Sequence, residues 1–392
     1  MNRYKINLII YLFMLNFLIN GCASIIYKSI PLKDVAKTSG KYFVGTQNFQ
    51  LVDSTRSMWF TDDIKSYRTL SVKMWYPADE NSLSERAPYV DQYELIAKAL
   101  SSSLGVPEAL MSRAGAVKCN SWLNTDISIG NFPIVIYSHG HQSLKIANTF
   151  QAEEIASNGY IVIAPDHTYD AALTIINKDK IIYTRSKLPN SDEEAEDSEM
   201  IKRVKEQLNI RVQDISFVID KMIEKFSKDK KFNQSADFEN IGIFGHSFGG
   251  CTAIMAANND NRIDAVLGLD AYFLPLPNHI IEKDMNKPFV HLGQTSWGDS
   301  NNYELMKIWG SKNNQNSFHF SVEGSKHNDF TDFSQFTKLT RKFGSGKVPQ
   351  KIMRNIINDV MLQFFNYHLK SIDNFDANQF ENKYERVKTY VH

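Results

Sequence analysis

The chain has 392 residues, of which 43% are apolar and 22% charged, the make-up of a globular protein. Lysine plus arginine and aspartate plus glutamate balance at 44 each, so nothing points to nucleic acid or another polyanion as a partner. An aromatic content of 12% fits a sizeable core and an apolar pocket.

Arg3 and Lys5 form a basic start, and Leu8 to Ile19 is an apolar run interrupted by Asn16. The run is too short to span a bilayer comfortably and reads as a secretory signal over 1–21. Ile19-Asn20-Gly21-Cys22 sets a small residue directly before the first cysteine. This resembles a bacterial lipobox, in which the cysteine is lipidated and becomes the new N-terminus. The expectation is a lipid anchor at Cys22, on a membrane surface of a bacterial cell envelope. Ala23 would select the outer membrane by the enterobacterial sorting pattern. A plain signal peptide or an uncleaved anchor is the alternative. Residues 22–44 read as a tether, 45–370 as one domain and 371–392 as a tail. Only Cys119 and Cys251 remain in the mature chain, so one disulfide is possible in an oxidising compartment. Cys251 falls on an expected helix and reads as a small buried hydrophobe.

Phe49 to Phe60 and Thr69 to Tyr76 are β-rich runs, the second ended by Pro77. Residues 80–130 form an excursion with a helix over Tyr93 to Leu104 and a second over Val106 to Met111. Phe132 to Tyr137 is a strongly apolar run, as a central strand requires. A helix over Ile146 to Asn158 follows, closed by Gly159, and Tyr160 to Ala164 is the next strand. Strand, helix and strand at this spacing make a parallel βαβ unit. Ile175-Ile176 and Ile181 to Tyr183 flank a surface hairpin, and acidic Ser191 to Glu199 reads as an exposed loop. A long helix from Glu199 to Phe226 carries Ile215, Val218, Ile219, Met222 and Ile223 at helical spacing. Later strands fall at Ala265 to Leu269, Pro288 to Leu292 and Phe318 to Val322, the last expected. Gln350 to Leu369 is a closing amphipathic helix.

Between the long helix and these strands stands Ile241-Gly-Ile-Phe-Gly245-His246-Ser247-Phe248-Gly249-Gly250, followed by Cys251-Thr-Ala-Ile-Met-Ala-Ala. A short buried strand, Gly-x-Ser-x-Gly and a helix make a nucleophile elbow. The turn forces Ser247 into strained backbone angles and needs Gly245 and Gly249 where a Cβ would meet neighbouring backbone. An ordinary Gly/Ser turn is the bland alternative, and the strand-then-helix context argues against it. With the strand–helix alternation, this predicts an α/β-hydrolase fold: a mostly parallel, doubly wound sheet with flanking helices and an insertion near 80–130.

In that fold the nucleophile is followed by an acid and then by a histidine. Of the later histidines, His291 and His319 lie inside expected strands, His368 on the closing helix and His392 at the end, while His279 precedes the later strands. Only His327 stands just past the Phe318–Val322 strand, so it is the expected base. The acid is Asp270, at the end of the strand after the elbow helix, or Asp299, in the loop after the next strand; pattern alone divides them nearly evenly. For the oxyanion, Phe248 N–H lies directly after the nucleophile. The loop Ser138-His139-Gly140-His141-Gln142 supplies a second donor, His141 N–H.

Four stretches carry a family resemblance: Tyr137-Ser-His-Gly140, Gly245-His-Ser-Phe-Gly-Gly250, Leu269-Asp-Ala-Tyr-Phe-Leu-Pro-Leu276 and Gly324-Ser-Lys-His-Asn-Asp-Phe-Thr-Asp-Phe333. Asp53 to Arg56 and Trp75-Tyr76-Pro77 fit too. The sequence resembles the platelet-activating-factor acetylhydrolase family, the plasma and type II intracellular group. The resemblance favours Asp270 as the acid. It implies a serine-dependent hydrolase, without metal or other cofactor, that removes short or oxidised acyl groups from the second position of glycerophospholipids. The partners it implies are a lipid ester and, through Cys22, a membrane surface. His141 and Gln142 stand where the family usually has an apolar residue and a second glycine. Alternatives are a general short-chain esterase, a polyester- or cutinase-like hydrolase, and a surface lipoprotein that keeps the fold as a binding module.

Overall fold

In the computed structural model the apolar runs assemble into one large sheet. The structure describes residues 34–59, 66–104, 117–189, 198–297, 301–313, 317–336, 338–372 and 374–390. The strands are β1 (Phe43–Ser57), β2 (Tyr67–Ala78), β3 (Arg86–Pro88), β4 (Lys118–Leu123), β5 (Phe132–Ser138), β6 (Ile161–Asp166), β7 (Leu173–Asn177), β8 (Lys180–Tyr183), β9 (Ala236–His246), β10 (Ile263–Leu269), β11 (Phe289–Gly293), β12 (Ser317–Val322) and β13 (Val387–Tyr390). Eleven of them lie in the order β13-β12-β11-β10-β9-β5-β6-β2-β1-β4-β3, and β7 and β8 pair as a separate hairpin. The run from β6 through β5, β9, β10 and β11 to β12 is parallel. β2 pairs antiparallel with both β6 and β1, and β13 closes the other edge antiparallel to β12.

Helices cover both faces, which is why the central strands are apolar throughout rather than alternating. In β5, Ile134 and Ile136 enter one core while Val135 and Tyr137 enter the other. The helices used below are α1 (Tyr93–Leu104), α2 (Thr149–Ser157), α3 (Ser198–Ser227), α4 (Phe248–Asn259), α5 (Asn302–Lys312) and α6 (Gln350–Lys370). α3, α4 and α5 bury Ile215, Ile254 and Trp309 in the first core. α2 and α6 bury Ile155, Val360 and Phe364 in the second. Along α3 the buried stripe runs through Ile215, Val218, Ile219, Met222 and Phe226. Ile223 is exposed instead of packed. At 100° per residue it lies at the edge of that stripe.

Three segments differ from the sequence expectation. The tether expected over 22–44 is held against the body from residue 34: Val35 is buried beside Cys119 and Tyr89, and its N–H donates to Lys118 O at 3.1 Å. The excursion contributes β3 and β4, which extend the sheet beyond β1. The tail expected over 371–392 supplies β13, so Phe318–Val322 is not the last strand; Val387 on β13 and Phe380 on the short helix Asn378–Lys383 before it are fully buried. Those apolar residues are scattered among polar ones and show no period of their own, so only packing reveals them. Cys119 and Cys251 are buried free thiols, each pushed up from its ordinary pKa by burial. The leader with Cys22, the Val106–Met111 helix, most of the Ser191–Glu199 loop and Asp299 lie outside the described residues.

Candidate active site

β9 ends at His246 and α4 begins at Phe248, so the turn between them is a single residue, Ser247. Its φ is +56° and its ψ −121°, a region that a side chain bearing a Cβ rarely adopts. The surroundings hold the strain. Ser247 N–H donates to Leu269 O at 3.0 Å, and Ser247 O accepts from Gly250 N–H at 2.9 Å and Tyr272 N–H at 3.0 Å. A Cβ on Gly245 would stand 2.1 Å from Gly249 O, and one on Gly249 would stand 2.0 Å from Ser138 O. Both glycines are therefore required by close approach of backbone to backbone.

Asp270 follows β10 directly, with φ +44°, and its carboxyl is fully buried. Oδ1 accepts from Gln294 N–H (3.0 Å), Trp297 Nε1–H (3.2 Å) and Tyr303 Oη–H (2.6 Å). Oδ2 accepts from Gln294 Nε2–H at 3.0 Å and from His327 Nδ1–H at 2.6 Å. Burial alone would raise the Asp270 pKa. The hydrogen bond and charge of His327, helped by Tyr303, outweigh burial and hold it at about 2. Asp270 is thus an anion at neutral pH, and it fixes His327 with the proton on Nδ1 and Nε2 open.

His327 stands in the loop after β12, with about a third of its side chain exposed. Two rings hold it. Trp297 meets it edge-on at 4.9 Å between centroids, and His246 lies against it at 4.4 Å. His246 also donates Nε2–H to His327 O at 3.1 Å. Burial, and then the neighbouring His327, push the His246 pKa down to about 3, so its ring stays neutral and does not repel a charged His327.

Ser247, His327, Gly140 and His141 line one cavity of about 520 Å³. Its other walls are mostly apolar: Tyr89, Ile96, Leu144, Ile146 and Phe336 are among them. Tyr89 and Ile96 come from the excursion, which therefore forms part of the wall. The His139 ring is fully buried beneath the loop, away from the cavity that His141 lines. Among the described residues, the later histidines other than His327 do not line this cavity. His291, in β11, accepts at Nε2 from the N–H of Ala271, the residue after Asp270, while His319 lies in β12 and His368 on α6. Among the described residues no three His, Cys, Asp or Glu side chains converge as metal ligands.

Sequence reasoning did not find Gln294, Trp297, Tyr303 or the role of His246. The first three lie after β11 and at the start of α5, and no spacing in the sequence relates them to Asp270. His246 carried a signal, because it sits inside the elbow motif.

A family model described as "Platelet-activating factor acetylhydrolase, isoform II" matches residues 27–390. The chain belongs to that family. It is a carboxylic ester hydrolase. The platelet-activating factor acetylhydrolase of Canis lupus familiaris is 24% identical over 383 residues, covering 89% of this chain and 81% of that protein. The protein of the same name from Cavia porcellus is 22% identical over 340 residues, covering 82% and 78%. A probable 1-alkyl-2-acetylglycerophosphocholine esterase of Arthroderma benhamiae is 23% identical over 214 residues, covering 51% and 49%. Among solved structures, a ferulic acid esterase from Streptomyces cinnamoneus superposes with a TM-score of 0.72 at 24% identity, covering 91% of this chain and 99% of its own. At that identity the match establishes the shared α/β-hydrolase fold.

Proposed function

We propose that this family member is a serine esterase that removes short or oxidised acyl chains from the second position of glycerophospholipids. Ser247 Oγ attacks the ester carbonyl while His327 Nε2 takes its proton. Phe248 N–H and His141 N–H hold the oxyanion. Collapse of the tetrahedral intermediate expels the alcohol, which leaves with the proton from His327, and the acyl group stays on Ser247. Water, deprotonated by His327, then releases the acid by the same steps in reverse. Asp270 remains ionised throughout and stabilises the imidazolium.

The observation that carries this reading is the Asp270–His327 pair, joined at 2.6 Å, beside the same cavity as the strained Ser247. The apolar cavity wall suits a lipid ester, and the names of the acetylhydrolase relatives support the substrate. A general short-chain esterase is the second reading, favoured by His141 and Gln142 at the oxyanion loop, which make the acyl side more polar than a plain lipid pocket. Lipidation of Cys22 would place the enzyme on a membrane of the cell envelope, beside such substrates. Metabolic labelling with a fatty acid, lost in Cys22→Ser, tests that anchor.

The deciding experiment assays phospholipids that differ only in acyl length at the second position, beside simple nitrophenyl esters, with Ser247→Ala as control. Ser247→Ala is expected to lower kcat by roughly 10⁶, as loss of a triad serine does elsewhere. Cleavage that is strongest for acetyl and falls with length supports the phospholipid reading. Cleavage of the nitrophenyl esters alone keeps the serine mechanism and discards the phospholipid.

A further inference from the structure

Behind the oxyanion loop lies a buried polar cluster that the reaction above does not use. His139 is fully buried, and its two ring nitrogens have defined partners. Nε2 accepts from His167 N–H at 3.0 Å, and Nδ1 lies 2.7 Å from Gly140 O. A backbone N–H can only donate and a carbonyl can only accept. The ring therefore carries its proton on Nδ1 and is neutral, and a protonated ring would lose the bond from His167. Burial, and then the nearby Arg211, favour the same state by lowering the His139 pKa well below its ordinary value.

The consequence falls on one peptide plane. Gly140 O and His141 N–H belong to the same trans peptide and point in opposite directions. The buried His139 ring holds Gly140 O on the inner side, with Ser143 N–H as a second donor at 3.2 Å. His141 N–H is thereby turned outward, to the side where Gly140, His141 and Ser247 line the cavity. We propose that His139 is a positioning residue that fixes the Gly140–His141 peptide so that its N–H serves as the second oxyanion donor.

The rest of the cluster keeps this ring in place. Arg211 donates to His139 O and, at 3.1 Å, to Ser138 Oγ, while its other nitrogen pairs with Asp170 at 2.7 Å. Asp170 O accepts from Gln142 N–H at 3.1 Å, so the loop is held on both sides of the critical peptide. The Arg211 guanidinium also lies 4.8 Å from the ring of Phe248, the residue that bears the first donor. His167, which supplies the N–H to His139, is itself tied to Asp214 at 3.0 Å.

The proposal rests on the reading that Ser247 is the nucleophile, and its test separates the two. An asparagine amide nitrogen falls where Nδ1 stands, and a glutamine amide falls where Nε2 stands. His139→Asn keeps the donor to Gly140 O, whereas His139→Gln keeps only the partner for His167. With a nitrophenyl ester, His139→Gln should lower kcat by about 10²–10³ at nearly constant KM, the loss expected for one oxyanion donor. Its affinity for a trifluoromethyl ketone, whose adduct bears the oxyanion, should fall by a similar factor. His139→Asn should lose less than about tenfold in both, a margin below the loss of one donor. Equal losses in the two variants, a loss confined to KM, or an unchanged ketone affinity in His139→Gln would overturn it. If Ser247→Ala retains activity, the serine reading itself fails; if it loses activity while His139→Gln does not, only the peptide assignment fails. Should neither variant fold, imidazole ¹⁵N spectra of the unaltered protein decide. A proton on Nδ1 and a bare Nε2 at neutral pH are expected, and a proton on Nε2 overturns the assignment.

Discussion

Replacing Asp270 by asparagine keeps its shape and reverses one of its hydrogen-bonding edges. Three donors converge on Oδ1, from Gln294, Trp297 and Tyr303, and two on Oδ2, from Gln294 and His327. The amide of Asp270→Asn therefore keeps its oxygen at the Oδ1 position and presents NH₂ towards His327. A donor facing Nδ1–H is repulsive, so His327 turns to the other tautomer, with Nδ1 accepting and the proton on Nε2. That nitrogen can no longer accept the Ser247 proton. A tautomer error of this kind costs about 10⁴ in kcat, which is about 5 kcal/mol in the barrier. The assay is kcat on a nitrophenyl ester at neutral pH, with the melting temperature followed in parallel to show that the variant is folded. Asp299→Asn is the control and should leave kcat within about threefold, which is about 0.6 kcal/mol in the barrier. A folded Asp270→Asn enzyme within tenfold of the parent, or a crippled Asp299→Asn, would refute the reasoning.

Gly249→Ala puts a Cβ 2.0 Å from Ser138 O, which is backbone and cannot rotate away. It should cost about 3 kcal/mol in urea unfolding and displace the Ser138–Gln142 loop; full stability would show that the elbow has slack. Arg68 donates twice to buried Asp214, at 3.0 and 2.6 Å. Burial works to raise the Asp214 pKa, but Arg68 and His167 prevail and depress it. Arg68→Met removes both of these bonds and leaves Asp214 only Arg56 and His167, each at 3.0 Å; it should cost about 3 kcal/mol, the low end for breaking a buried pair, read by urea titration. A loss under 1 kcal/mol, the size of an exposed pair, would contradict it. Stability should also fall with acid. Burial lowers His246 to about 3 and His167 and His368 to about 4, from an ordinary 6.5. Between these values the unfolded chain binds protons that the folded chain does not, so stability is lost as pH drops below 6.5 and down towards 4. The urea midpoint should decline steadily over that window, and a flat profile between pH 7 and 4.5 would count against neutral buried rings.

The backbone of the fold and the elbow are legible in the sequence because they rest on local signals. A βαβ unit announces itself through apolar runs of strand length separated by a helical period, and β5, α2 and β6 fall where those runs lie. Gly245, Ser247 and Gly249 are legible for the same reason, since the turn that needs them spans five residues. His327 emerges by elimination, because only one later histidine follows a strand end. The choice between Asp270 and Asp299 is different in kind. Both follow strands that end on the same side of the sheet, so pattern cannot separate them, and the resemblance favours Asp270. The structure adds the Nδ1–Oδ2 contact of 2.6 Å across 57 residues of chain. The supports of the site, Trp297 and Tyr303 on Asp270 and His139 under Gly140, depend on side-chain directions that no one-dimensional period encodes. The same holds for β13, whose few apolar residues gain meaning only against β12. Sequence determines where strands stop and which residues stand at their ends. Packing alone decides which of those ends meet, because that depends on strand order, twist and the helices pressed against both faces.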